Sequence, residues 1–162
     1  MNSKYVIELY EILNDLGIEI WIDGGWAVDA LLGKQTRSHQ DLDIAVECKN
    51  LSKLREYLEK QNYKEIERDE DKKWDWVLRD NDEHEIEVHS FSFDDNGKIV
   101  EENYWDGYSS DSLSGKGVIN TQEVRCVSLE QLIKTHNPEK RKLKDTDYKD
   151  MELLSKKFDF NF

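Results

Sequence analysis

The chain has 162 residues, 37% hydrophobic and 36% charged, and 23 Lys and Arg against 36 Asp and Glu give a formal net charge of −13. That length fits one domain, able to bury about two-thirds of its unfolded surface without disulfides or a structural metal, and an aromatic content of 10% with five Trp excludes a disordered chain. The charge excludes nonspecific nucleic-acid binding, which depends on neutralising phosphates with Lys and Arg, and suits small cationic ligands or a divalent metal held by carboxylates.

Residues 4–16 carry Tyr5, Ile7, Leu9, Ile12, Leu13 and Leu16 at near-helical spacing, and Gly17 fits a C-terminal stop. Ile18 to Ile22 alternates as a strand, Asp23-Gly24-Gly25 reads as a sharp turn, and 26–32 reads as a short helix ended by Gly33. Asp41 to Val46 alternates again as a strand, and 51–61 is helical with Leu51, Leu54 and Leu58 on one face. Strands are expected around 63–67, 74–79, 84–92 and 98–102, with a turn at Asp94 to Gly97. The Ser-, Gly- and Asp-rich stretch 103–117 has no clear period and reads as a mobile loop. A hairpin follows over 117–127, Ser128 can cap a helix with Gln131 in the capping-box position, and a last helix is expected over 142–157 after the single proline, Pro138.

Helix and strand alternate early and segregate later, so the fold class is α+β with a mixed sheet. One domain over 1–162 is expected, with a sheet and its helices over 1–127 and C-terminal helices over 128–162. The two cysteines, Cys48 and Cys126, form no CxxC and read as buried small hydrophobes of a reducing compartment. No run approaches 18 apolar residues, and the N-terminal stretch carries charges and no cleavage site. A cytoplasmic protein without a membrane partner is therefore expected.

Asp41 and Asp43 are two apart on one strand, so their side chains share a face with the preceding His39. Two such carboxylates repel unless a cation sits between them, and Mg²⁺ takes one or two carboxylates plus substrate phosphates. A solvated edge-strand face gives the same tripeptide. Glu85, Glu87 and His89 share a face of a later strand, where a third acid could complete a metal site or serve as general base. Glu85 reads better as an exposed polar face, and His89 is as readily a hydrogen-bonded structural residue as a ligand. Gly24 and Gly25, between strand and helix, let backbone N–H groups approach an anion; they form neither a Rossmann nor a Walker motif.

In order, these features resemble the nucleotidyltransferase superfamily that includes DNA polymerase β. Trp21 to Ile44, with Asp23-Gly24-Gly25-Trp26 and His39-Gln40-Asp41-Leu42-Asp43, resembles more closely the signature of the small antibiotic nucleotidyltransferases. These are the lincosamide enzymes and the aminoglycoside 2″-adenylyltransferases. Ile86 to His89, Val124 to Glu130, His136 and Asp147 to Asp150 extend the likeness over most of the chain.

The resemblance implies a polymerase β-like fold, Mg²⁺ as cofactor and ATP as donor. It implies Asp41 and Asp43 as metal ligands, and Glu87 as ligand of a second metal, activator of the acceptor hydroxyl, or both. Glu87 stands where relatives often have Asp. Gly24 and Gly25 would cradle the donor phosphates, with Arg37, Lys34 and His39 as phosphate contacts. Trp26 stands where many polymerase-like enzymes have Ser, so a hydroxyl contact there is lost. The basic run Lys140 to Lys144 would meet the triphosphate or form a solvated helix face.

The implied reaction is transfer of AMP to a hydroxyl of a small cationic antibiotic. Acidic segments, eleven acids against four bases over 65–87 and five against one over 94–106, fit a cationic acceptor. Trp74, Trp76, Tyr104, Trp105 and Tyr108 are candidates for its apolar wall. Charge favours a polycationic aminoglycoside, whereas Asp23, Gly33-Lys34-Gln35 and the chain length resemble the lincosamide branch, which is the reading taken. A non-catalytic or protein-modifying module is the alternative of another class. Domains of this size often build an acceptor pocket at a homodimer interface, and no residue argues for or against one.

Overall fold

The chain opens with α1 (Ser3–Asp15), whose first turn is closed by Asn2, its side chain accepting from the Tyr5 N–H at 2.9 Å. The computed structural model describes residues 1–66, 75–100 and 107–162. Gly17, at φ +70°, turns the chain out of α1 into β1 (Ile20–Ile22). Then follow α2 (Gly24–Leu32), β2 (Asp41–Glu47), α3 (Leu51–Lys60), β3 (Lys64–Ile66), β4 (Asp75–Arg79) and β5 (Glu85–Phe91). The hairpin β6 (Gly115–Ile119) and β7 (Gln122–Cys126) precedes α4 (Leu129–Thr135) and α5 (Asp145–Phe158).

The strands form one mixed sheet in the order β3-β4-β5-β2-β1-β7-β6. At its centre β2 runs parallel to β5 and antiparallel to β1, and β1 runs parallel to β7. Strand alternation gives the sheet two unlike faces. Ile20, Ile22, Leu42, Ile44, Ile86 and Val88 are buried and join one core with Leu13, Trp26, Leu54, Leu58 and Met151 from the helices. Trp21, Asp41, Asp43, Glu85, Glu87 and His89 project from the opposite face and are only partly buried. This is the expected α+β class with a mixed sheet and C-terminal helices. No helix among the described residues is long and apolar enough to cross a membrane.

Several local expectations are corrected. Gly24 and Gly25 are the first two residues of α2, not a turn before it, because the Asp23 side chain caps the helix by accepting from the Gly24 N–H at 2.7 Å. The strand expected over 98–102 amounts, among the described residues, to a single bridge between Phe93 and Ile99. Within the stretch read as a loop, 110–113 forms a 3₁₀ turn and β6 begins at Gly115. The last helix starts at Asp145, three residues later than expected, where the Asp147 carboxylate accepts from the Lys144 N–H at 2.8 Å. Cys48 is exposed rather than buried, and Cys126 is buried. Trp74, Tyr104 and Trp105 of the expected apolar wall lie outside the described residues, as do positions 67, 74 and 101–102 of the expected strands.

Candidate active site

The site is assembled by the pairing of β2 with β5. Their parallel register sets Asp41 opposite Glu85, Asp43 opposite Glu87 and Ala45 opposite His89. With Leu42, Ile44, Ile86 and Val88 committed to the core, the acids have only the other face to occupy. There the ligand atoms of Asp43, Glu87 and His89 all lie within 4.8 Å of one another. Nε2 of His89 is 3.7 Å from Oδ1 of Asp43. Two carboxylates and an imidazole this close form a donor set that fits a divalent cation.

The glycines complete this corner. The Asp23 N–H donates to the Asp43 carbonyl at 2.8 Å, which ties the start of α2 to β2. Gly24 sits at φ +56°, and a Cβ there would stand 2.0 Å from Oδ2 of Asp43. A Cβ on Gly25 would stand 2.4 Å from the Arg37 guanidinium and 2.7 Å from Nδ1 of His39. A side chain at either place would have to push a neighbour aside, so the N-terminus of α2 lies directly against the acid corner. That is a place suited to phosphate.

The expected residues do not all gather here. Asp41 lies one register step away and is not part of the Asp43, Glu87 and His89 group. Its charge, with that of Asp29, reaches Arg37, whose guanidinium pKa is held up first by hydrogen bonds to Asp150. Arg37 donates to the buried Asp150 of α5 through Nε at 3.1 Å and a terminal nitrogen at 2.8 Å. His39 is not presented to a ligand: its ring is buried, lies against Trp26, and has Nε2 2.5 Å from Oδ2 of Asp29. Asp29 also accepts from the Thr36 N–H at 2.9 Å and its hydroxyl at 2.6 Å. Arg37 and His39 thus clamp the loop between α2 and β2 behind Gly25. Lys34 is exposed.

Glu85, read as part of an exposed polar face, is half-buried and held by Arg79, whose Nε donates to it at 2.8 Å. In the basic run, Arg141 turns inward to the Thr135 carbonyl at 2.7 Å and to Asp147 at 2.9 Å. Lys140, Lys142 and Tyr148 border a shallow cavity of about 600 Å³ beside it.

His89, placed on the Glu85 and Glu87 face from parity and left open there between ligand and structural residue, stands at the acid corner. Tyr108, grouped by sequence only with the aromatic wall, donates its hydroxyl to Oδ2 of Asp23 at 2.6 Å and sets its ring edge-on to Phe91. Phe91 in turn meets Trp21 and Phe93, so an aromatic row borders the acids on the open face. Asp150 carried no sign of its partnership with Arg37, 113 residues away.

A family model described as aminoglycoside-2″-adenylyltransferase matches residues 5–154. The chain belongs to the aminoglycoside 2″-adenylyltransferase family. Within this nucleotidyltransferase family, it is 28% identical over 159 residues to a lincosamide resistance protein of Staphylococcus haemolyticus, a match covering 93% of this chain and 90% of the relative. It is 40% identical over 47 residues to a 2″-aminoglycoside nucleotidyltransferase of Klebsiella pneumoniae, 27% of each chain. Among solved structures it resembles the lincosamide antibiotic adenylyltransferase LnuA bound to lincomycin, with a TM-score of 0.83 and 25% identity over 96% of this chain and 97% of that one. ANT(2″)-Ia in complex with adenylyl-2″-tobramycin shares the fold, with a TM-score of 0.78 at 18% identity over 96% and 88% of the two chains. The fold of this family member is accordingly that of the polymerase β-like nucleotidyltransferases.

Proposed function

We propose that this chain transfers AMP from ATP to a hydroxyl group of a lincosamide antibiotic and so confers resistance to it. The observation that carries the reading is the meeting of Asp43 and Glu87 against the glycine-led N-terminus of α2. An acid pair beside a helix N-terminus is an arrangement for holding a polyphosphate and a cation together.

Asp43 and Glu87, with Asp41 one step along the strand, are the residues that would hold the divalent cation. Such a cation neutralises phosphate charge and polarises the phosphorus centre. The N-terminal turn of α2 opened by Gly24 and Gly25 binds the donor phosphates, and Lys34 is an exposed cation on the loop after α2. Arg37 and His39 act by fixing the backbone of Gly25. The acceptor hydroxyl attacks the α-phosphorus; its oxygen forms the new P–O bond as the bond to the bridging oxygen breaks and pyrophosphate departs. Glu87 takes the hydroxyl proton, a role worth about 10²–10⁴-fold in rate.

A lincosamide is supported by likeness to the staphylococcal relative over most of both chains and to the lincomycin-bound structure. The aromatic row of Trp21, Phe91, Phe93 and Tyr108 offers an apolar wall next to the acids. The family model and the net charge of −13 favour an aminoglycoside as the second reading. The test is incubation with labelled ATP, Mg²⁺ and either lincomycin or tobramycin, with mass spectrometry of the drug. A gain of one AMP on lincomycin supports the proposal. A gain on tobramycin alone favours the second reading, and no adduct with either overturns both.

A further inference from the structure

We propose that His89 is a third protein ligand of the divalent cation held by Asp43 and Glu87, and that the site therefore binds Mn²⁺ more tightly than Mg²⁺. The inference rests on the proposed function for the presence of a cation at this corner, and adds its ligand set and preference.

Ligand atoms around one ion, each about 2.0–2.3 Å from it, stand up to roughly 4.5 Å apart. The Asp43 oxygen, the Glu87 oxygen and the His89 nitrogen all lie within 4.8 Å of one another, so small side-chain adjustments bring all three onto one ion. His89 is placed for this by the same register that sets Asp43 against Glu87. It stands one pleat further along β5, on the same face, and its Nε2 already leans to 3.7 Å from Oδ1 of Asp43. The facing position on β2 is Ala45, the smallest side chain of that face of the strand. Gly24 contributes the second half of the cradle, since a Cβ there would collide with the Asp43 carboxylate. The set reached this way adds an imidazole to the carboxylates.

That change of one donor decides the preference. Mg²⁺ is hard, demands near-ideal octahedral geometry and keeps oxygen ligands and waters, whereas Mn²⁺, equally suited by carboxylates, opens the transition-metal series in which affinity for mixed nitrogen and oxygen sites rises. A nitrogen donor should thus strengthen Mn²⁺ binding and do little for Mg²⁺.

The experiment uses the full chain, stripped of metal with a chelator and free of nucleotide. Mn²⁺ and Mg²⁺ are titrated separately by calorimetry into the wild type, His89→Gln, His89→Ala and Asp43→Asn, and pulsed electron paramagnetic resonance reads nitrogen coordination in the Mn²⁺ complexes. The wild type is expected to show ¹⁴N modulation from a bound imidazole. His89→Gln and His89→Ala should lose that signal and weaken Mn²⁺ by at least about tenfold, with a much smaller change for Mg²⁺. A wild-type complex without ¹⁴N modulation, or His89 variants that bind both ions as the wild type does, would overturn the ligand assignment. If Asp43→Asn still weakens both ions in that case, the cation site and the proposed function survive; if it weakens neither, both fail. None of these readouts depends on turnover.

Discussion

Nε2 of His39 lies 2.5 Å from Oδ2 of Asp29, with both side chains almost fully buried beneath the loop that joins α2 to β2. The same carboxylate collects the Thr36 N–H and hydroxyl, so one acid holds that loop at its middle and near its end. Asp29→Ala would strand the imidazole in the interior and take the acceptor from the half-buried Thr36 donors. Removing one partner of such a buried pair costs about 3–5 kcal/mol. Chemical denaturation is expected to report a loss of that size, and a variant within about 1 kcal/mol of the wild type would contradict the clamp.

Asp41→Asn and Asp43→Asn should each abolish nucleotidyl transfer while leaving the fold intact, because both side chains project from the open face of the sheet. Loss of even an outer-shell partner of a metal ligand costs roughly 10–100-fold, so loss of a ligand should exceed that. Circular dichroism and AMP-transfer assays check the two halves of this statement. Near-normal turnover in either variant would remove that residue from the metal site.

Gly24→Ala tests the contact between α2 and the acid corner. The residue sits at φ +56°, and the added Cβ would meet the Asp43 carboxylate at 2.0 Å. Strain in that backbone region costs about 1–3 kcal/mol, and Asp43 must move aside. Melting temperature and divalent-ion affinity should fall together. A fall in stability alone would mean that Asp43 is free to give way.

Asp147 carries a stability that depends on pH. Burial works to raise its carboxyl, but the Lys144 N–H, the Arg141 guanidinium and His136 outweigh it and hold the pKa below its ordinary 3.8. A carboxyl lowered in the folded state contributes fully above the ordinary value, and the contribution disappears as pH falls through the native one. Urea midpoints taken from neutrality down to about pH 3 should therefore drop at the acid end. In Arg141→Gln that drop should be shallower, since the mutation removes one of the interactions that set the native value. An acid limb unchanged by Arg141→Gln would show that other carboxyls produce it.

The β2 and β5 faces were legible because alternation needs only neighbours along the chain: Leu42, Ile44, Ile86 and Val88 turn one way and the acids the other. Caps at Ser128 and Gly33 were legible for the same reason, each acting within one helical turn. The position of Gly24 was misjudged because the Asp23 side chain, not the glycine, chose where α2 begins.

From the order of residues alone came the acids, the glycines and the family they belong to, all local or ordered features of one chain. Which basic side chain of the loop turned to which acid was decided only by folding, which brought Asp150 to Arg37 across 113 residues and Asp29 to His39 beneath Gly25. His89 joined Asp43 because two parallel strands met in one register among several that alternation would allow. Such pairings depend on distances across the sheet and between layers, and those distances do not exist until the core has closed.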